Sequence, residues 1–272
     1  IIYRSCTNVN MLTQNKKRLF EKDKSEYTFR SLNSLISSLK IAEKSFPGIT
    51  FDIVVIDYNS KENDLQQIKT QLEKSNFKNS ITSLNVKDFL TNIKTVNAKG
   101  EKVTENQISN MCNIHKSLLV AKEESKDLIY FVEDDYLHQK DAINEMIFSY
   151  ERIASQINKE IILCPADYPY LYTKLESTNI FLGSNKHWRK VNETLCTFLT
   201  SKVILEKHWN KFISMCQFEH YPFEQPLHEI YQSEYCLSPI PSLAIHCTNI
   251  NSIFGLSPNV NWEEIWNENK NY

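Results

Sequence analysis

The chain has 272 residues, a formal net charge of −2 and 41% hydrophobic residues, including 14 Phe and 13 Tyr. This length suits one large α/β domain with a sizeable core, and the near-neutral charge argues against nucleic acid as a partner. No apolar run approaches the ~20 residues of a membrane span, so we expect no transmembrane segment. The seven cysteines form no Cys-x-x-Cys pair, which favours reduced core residues in a cytoplasmic protein.

Glycine is scarce, because the chain contains only four glycines and no two of them are close together. A Walker phosphate loop and a Gly-x-Gly-x-x-Gly dinucleotide turn both need several neighbouring glycines, so neither motif is present. If the chain binds a nucleotide, it does so without a glycine cradle. A metal ion is the natural substitute for neutralising phosphates.

Strand and helix patterns alternate along the first half of the chain, which favours a mostly parallel α/β sheet flanked by helices. Apolar runs bounded by turn residues predict strands, and apolar residues at helical spacing predict helices. The predicted strands cover residues 1–6, 51–60, 80–86 and 128–133, and the predicted helices cover 27–45, 64–74 and 105–124, with 87–104 as a long loop.

The second half of the chain is less regular. Its clearest feature is the helical pattern over 139–157, where apolar residues recur with helical periodicity. A tail helix is expected to pack on the domain through Trp262 and Trp266. The other predicted elements are strands over 161–166, 179–183, 194–200 and 242–247, and helices over 201–215 and 224–232.

Three consecutive carboxylates, Glu133, Asp134 and Asp135, stand where the apolar strand 128–133 ends. Like charges repel, and each is costly to desolvate, so a positive group is expected beside them. Carboxylates at the carboxyl end of such a strand project into the ligand crevice, and hard oxygen ligands suit Mg²⁺ or Mn²⁺. The alternative is a solvated turn in which an aspartate caps the next helix.

The sequence "VVIDYNSKEND", followed by "AKEESKDLIYFVEDDY", resembles the GT-A type nucleotide-diphospho-sugar glycosyltransferases, particularly the family 2 group. Asp57 and Ser60 match the family's Asp-x-x-Ser pattern, which recognises the nucleoside. Glu133, Asp134 and Asp135 stand in place of the family's Asp-x-Asp metal motif. The resemblance implies that Asp135 coordinates a divalent ion directly, with Glu133 or Asp134 acting through water.

Further residues of the predicted donor site lie on the first strand and on the helix 105–124. Arg4 is expected to pair with the diphosphate. The family's usual Arg-Asn pair is replaced here by Ile114 and His115, so Asn110 and Asn113 are the candidates for nucleotide contact on this helix. The alternative role for Asp57 is to start a turn after its strand.

The second half supplies the expected acceptor side. His246, at the end of a predicted strand, is a candidate metal ligand or phosphate donor, and Trp188 and Arg189 are candidates for sugar stacking and anion binding. An inverting transferase needs a carboxylate base on this side. Glu224, before a predicted helix, is the first candidate for that base, and Asp167 is the second. A helix N-terminal carboxylate is the alternative role for Glu224.

With these patterns, the resemblance implies a single GT-A-like (Rossmann-like) α/β domain of two abutting halves. Residues 1–137 form the nucleotide-sugar-binding half, and residues 138–272 form the acceptor-binding half with its tail helix. The resemblance implies inverting transfer of a sugar from a UDP- or GDP-sugar to a carbohydrate acceptor, with Mn²⁺ or Mg²⁺. The alternatives are a metal-dependent nucleotidyltransferase or phosphohydrolase, and a non-catalytic carbohydrate-binding domain.

Overall fold

The computed structural model of the chain describes residues 1–8, 18–174 and 177–272, and it confirms the α/β class. A nine-stranded sheet forms the centre, and a two-stranded sheet pairs β5 with β11. The strands are β1 (Ile2–Ser5), β2 (Asp52–Asp57), β3 (Lys78–Ser83), β4 (Leu128–Glu133), β5 (Tyr136–His138), β6 (Ile161–Leu163), β7 (Ile180–Leu182), β8 (His187–Val191), β9 (Phe198–Ser201), β10 (Tyr235–Ile240) and β11 (Ala244–His246).

The strand order in the large sheet is β3-β2-β1-β4-β9-β6-β10-β8-β7. Strands β8 and β9 run opposite to the other seven, so the prediction of a mostly parallel sheet is confirmed. From β1 the chain builds outward through β2 to β3 and then returns to place β4 on the other side of β1. In open α/β sheets, such a reversal leaves a crevice at the carboxyl ends of the two strands.

Helices cover both faces of the sheet. Apolar residues of α1, α2 and α4 pack on one face, and those of α3, α6 and α7 pack on the other. The helices are α1 (Lys24–Ser45), α2 (Glu62–Ser75), α3 (Glu105–Glu124), α4 (Ala142–Ile157), α5 (Lys202–Lys207), α6 (Trp209–Gln217), α7 (Gln225–Tyr231) and α8 (Trp262–Glu268).

The predicted elements of the first half match the structure closely, and those of the second half match less well. The helix 105–124 and the strand 128–133 have the predicted bounds. The predicted helix 201–215 is two helices separated at His208, and β5, β8 and β10 were not predicted. The tail helix packs as expected, because the rings of Trp262 and Trp266 lie 5.3 and 4.3 Å from the ring of Phe20.

One sheet runs through both predicted halves of the chain. The expected boundary at residue 137 falls inside β5, and the adjacent strands β4 and β9 come from different halves. The fold is therefore a single domain with one continuous sheet. In the described parts of the chain, no helix combines the length and apolar character needed to cross a membrane.

Candidate active site

Polar side chains gather where β1, β2 and β4 end. Arg4 of β1 is in register with Glu133 of β4, and Ser5 of β1 is in register with Asp57 of β2. Because these strands are parallel, their carboxyl ends meet at one edge of the sheet. This edge includes the reversal point between β1 and β4, where ligands bind in folds of this kind.

Glu133 is paired with Arg4. The Arg4 Nη2 atom lies 2.8 Å from Glu133 Oε1, and Thr197 Oγ1 donates a hydrogen bond of 3.3 Å to Glu133 Oε2. Arg4 also donates from Nη1 to Asn110 Oδ1 at 3.0 Å, which links β1 to the exposed face of α3. The guanidinium is buried, whereas Glu133 is partly exposed at 28%.

Asp134 is paired with Lys24, the first residue of α1. The Lys24 Nζ atom lies 2.5 Å from Asp134 Oδ1. The other oxygen, Oδ2, accepts hydrogen bonds from the backbone N–H of Cys6 at 3.1 Å and from Thr28 Oγ1 at 2.9 Å. Three donors, two from α1 and one from the backbone after β1, therefore hold this buried carboxylate.

Asp135 faces His246 and Lys24. Its Oδ2 atom lies 3.5 Å from His246 Nε2 and 3.9 Å from Lys24 Nζ. Burial raises the pKa of Asp135, but the charges of Lys24 and His246 outweigh burial and hold this pKa well below its usual range. Burial likewise opposes the charged forms of Lys24 and His246, and the neighbouring aspartates raise both pKa values.

The ring of His246 is fixed by two further contacts. Its Nδ1 atom lies 3.0 Å from the carbonyl oxygen of Phe254, so Nδ1–H donates there and Nε2 faces Asp135. The ring of Tyr136 stacks on the imidazole at a centroid distance of 4.9 Å. His246 therefore lies beside Asp135, and its predicted role as a metal ligand or phosphate donor stays a prediction.

Each of the three carboxylates lies beside a cationic side chain of the chain itself, which is the positive neighbour that the sequence led us to expect. Glu133 contacts Arg4, Asp134 contacts Lys24, and Asp135 lies between Lys24 and His246. Within residues 1–8, 18–174 and 177–272, no three His, Cys, Asp or Glu side chains converge where a metal could be held. As arranged, Glu133, Asp135 and His246 do not form a ligand set, and metal dependence stays a prediction.

Asp57 organises the turn that follows β2. Its Oδ1 atom accepts hydrogen bonds from Ser5 Oγ at 2.7 Å and Ser60 Oγ at 2.5 Å, and Oδ2 accepts the Ser60 N–H at 3.2 Å. Asn59 turns the chain with a φ of 56°. The turn role considered for Asp57 is therefore present. Its Oδ2 atom keeps one lone pair for a nucleobase N–H, so the base-reading role stays a prediction.

The two asparagines of α3 have different surroundings. Asn110 is exposed on the crevice side and accepts the hydrogen bond from Arg4. Asn113 is buried, and its Nδ2 donates to the carbonyl oxygen of Ile56 at 3.1 Å. The assignment of Asn113 to nucleotide contact was wrong, because its amide holds α3 against β2.

Glu224 lies beside Cys196. It stands directly before α7, and its Oε1 atom is 4.0 Å from Cys196 Sγ. Burial raises the pKa of the Cys196 thiol, the negative charges of Glu224 and Glu133 raise it further, and Arg4 opposes them. The pKa of the Cys196 thiol therefore depends on the charge of the candidate base and on the charges of the Arg4–Glu133 pair.

Asp167 is committed to a buried ion pair. Its carboxylate contacts the guanidinium of Arg189 and accepts a hydrogen bond of 2.5 Å from the Tyr172 hydroxyl. Burial raises the pKa of Asp167, and Tyr172 and Arg189 offset only part of that rise. Because its oxygens are occupied, Asp167 is poorly placed to take a proton from an acceptor sugar.

Trp188 is also unsuited to its expected role. Its side chain is fully buried, and its Nε1 donates to Glu145 Oε1 at 3.2 Å. Sugar stacking on Trp188 was a wrong expectation, since the ring belongs to the core beneath α4.

Lys24 is the residue of the site that sequence reasoning missed, because no sequence pattern links it to Asp134, which lies 110 positions away.

No model of a known protein family matches the chain, and no curated protein matches it in sequence. Structures with a similar arrangement of elements are those of glycosyltransferases and of a nucleotide-sugar pyrophosphorylase. They include S. aureus TarS (15% identity over 76% of this chain and 29% of TarS, TM-score 0.41). The galactosyltransferase LgtC, in complex with donor and acceptor sugar analogues, aligns at 10% identity over 84% of this chain and 65% of LgtC, with a TM-score of 0.36.

A UDP-glucose pyrophosphorylase complexed with UDP-glucose aligns over 99% of this chain and 96% of its own length, at 10% identity and a TM-score of 0.40. This chain spans less than two thirds of TarS and of LgtC. At these identities and scores the similarities carry no argument about function, which must come from the site itself.

Proposed function

We propose that the chain binds a nucleoside diphosphate sugar at the reversal point between β1 and β4 and transfers the sugar to a carbohydrate acceptor. The observation that carries the proposal is the polar cluster at this edge of the sheet. Arg4, Asn110 and Glu133 form its centre, and Asp57 ends the neighbouring strand. A ligand crevice at this point is the general rule for open α/β sheets.

The donor would lie across the ends of β1 and β2. The turn held by Asp57 and Ser60 would border the base, and Asp57 Oδ2 would accept a base N–H. Arg4 is the cation for the diphosphate, because a guanidinium offers several donors in a fixed plane and is always charged. Charge that develops on the departing diphosphate is stabilised when such donors are already in place.

The acceptor would approach from the side of α7. Glu224 takes the proton from the acceptor hydroxyl, whose oxygen then bonds to the anomeric carbon as the bond to the diphosphate breaks. Attack opposite the leaving group inverts the configuration at that carbon. Glu224 is preferred to Asp167 as the base because Asp167 is held by Arg189 and Tyr172.

A metal-dependent nucleotidyltransferase or phosphohydrolase would need further acidic ligands beside the Glu133–Asp135 cluster. Asp52 and Asp167 are the acidic residues that the sequence offers for this role. Asp52 begins β2, at the end opposite to the crevice, and it pairs with the exposed Lys78. Asp167 is occupied by its ion pair with Arg189. The geometry therefore favours sugar transfer over these reactions.

The test combines nucleotide binding with transfer. Calorimetry with UDP and with GDP checks the donor site, and Glu224→Gln should keep the affinity while losing on the order of 100-fold in turnover. Glu206→Gln, at an exposed position on α5, is the control and should change neither. Full turnover by Glu224→Gln would remove Glu224 as base, and a chain that binds no nucleotide would refute the function.

A further inference from the structure

Lys24 lies beside Asp134 and Asp135, the carboxylates that follow β4, and it is largely buried there. Its side chain is only 10% exposed, although it begins a helix at the edge of the domain. The ammonium reaches Asp134, which lies 110 residues later in the chain, at 2.5 Å. A buried lysine is costly to desolvate, so this placement needs strong partners. Asp134 and, at 3.9 Å, Asp135 supply them.

A divalent ion and this ammonium compete for the same oxygens. Mg²⁺ binds carboxylate oxygens at roughly 2.0–2.1 Å, so an ion on Asp134 Oδ1 would have to displace the Lys24 ammonium. The second oxygen of Asp134 is already used by the Cys6 N–H and the Thr28 hydroxyl. Asp134 therefore has three donors of the protein without a metal.

The Lys24 ammonium also has N–H donors available for an anionic ligand. An ammonium carries three N–H donors. In the described parts of the chain, Asp134 is the one hydrogen-bond acceptor of Lys24 Nζ, because Asp135 is too distant at 3.9 Å. Two N–H groups remain for oxygens of a bound diphosphate.

A second cation near Lys24 points to the same kind of ligand. Arg18 forms an isolated β-bridge with Thr248, two residues after His246. Among the described residues, the buried atoms Nε and Nη2 of Arg18 have no hydrogen-bond partner. The guanidinium lies 5.6 Å from the centre of the Tyr27 ring. An anion bound at this position would pair with both cations and satisfy the donors of Arg18.

We infer that Lys24, with Arg18 beside it, supplies the positive charge that a divalent ion was expected to provide, so that this chain binds a nucleoside diphosphate without a metal. The inference rests on the proposed function, because it concerns the same donor site. It also explains why three carboxylates are tolerated together: each already contacts a cation of the protein.

The experiment is calorimetric titration of the metal-free protein with UDP and with GDP, in excess EDTA and again with MnCl₂. The expected dissociation constants agree within about threefold between the two conditions, which is less than ~1 kcal/mol. In EDTA, Lys24→Met should weaken binding by about tenfold or more, whereas Lys24→Arg should retain most of it. Lys22→Met is the matched control, since Lys22 is an exposed lysine on the same segment.

Each outcome decides the inference. Wild-type binding that disappears in EDTA and returns with Mn²⁺ would overturn it while keeping the proposed function. Binding by folded Lys24→Met equal to that of wild type would also overturn it. If neither nucleotide binds in either condition, the proposed function fails and the inference falls with it. The comparison of wild type in EDTA and Mn²⁺ needs no variant, so a poorly folded Lys24→Met leaves the test intact.

Discussion

Replacing Glu145 by Gln should destabilise the domain markedly, although the two side chains have nearly the same shape. Glu145 is fully buried in α4. Its Oε1 atom accepts hydrogen bonds from Ser149 Oγ at 2.8 Å, the Ser184 N–H at 3.0 Å and Trp188 Nε1 at 3.2 Å. Its Oε2 atom accepts the Asn185 N–H at 2.8 Å. All four groups are donors, so the site requires an acceptor at both positions.

The magnitude follows from the loss of one acceptor. A Gln side chain that keeps its carbonyl toward the three donors must turn its NH₂ group against the N–H of Asn185. One hydrogen bond to a charged group is then lost, which costs about 1.5–3 kcal/mol. The other three hydrogen bonds become weaker, because their acceptor is no longer charged. We therefore expect Glu145→Gln to lower the free energy of unfolding by about 2–4 kcal/mol.

Urea unfolding measures this loss as a lower transition midpoint with an unchanged m-value. Glu151→Gln, an exposed position on the same helix, is the control and should stay within about 0.5 kcal/mol of wild type. If Glu145→Gln were as stable as wild type or more stable, the cost of burying the carboxylate would exceed the worth of its four hydrogen bonds. The requirement for two acceptors at this position would then be refuted.

Three further predictions concern other positions. Burial lowers the pKa of His138 from 6.5 to about 3, so the unfolded state takes up the proton first and stability should fall as pH drops from 6.5 toward 3. That loss is about 1.4 kcal/mol per pH unit, and urea unfolding of His138→Phe at several pH values should lack this slope. Gly183→Ala should cost about 1–3 kcal/mol in the same assay, because the added methyl group would collide with Glu145 Oε1. Asp57→Ala should weaken UDP or GDP binding by ~1–3 kcal/mol in calorimetry, and an unchanged dissociation constant would leave Asp57 a turn residue only.

Local sequence patterns were sufficient to predict the helix and strands that hold the residues of the proposed donor site. The helix α3 begins where Thr104 and Gln107 form a capping box, a short-range signal that is visible in the sequence. The strands β2 and β4 are continuous apolar runs because they are covered on both faces. By contrast, β10 contains Ser238 and Pro239, residue types that strand patterns disfavour, and it was missed.

Such patterns could not predict which residues contact the site residues. The sequence indicated that three carboxylates needed a positive neighbour. It could not show that Lys24 is that neighbour, because a contact between residues 110 positions apart produces no periodic pattern in the sequence. The same limit applies to Asp167, whose partner Arg189 lies on β8, a strand that was not predicted. Only the folded arrangement shows which charges are occupied and which remain for a ligand.

The continuous sheet has a consequence for anyone who divides the chain into fragments. A cut after residue 137 would break β5 and separate β4 from β9, which pair over Leu128–Phe131 and Phe198–Ser201. Each piece would then expose an unpaired apolar strand, and such edges readily pair with other chains. The two halves should therefore precipitate when produced alone, and they should recover a soluble form only when they are expressed together.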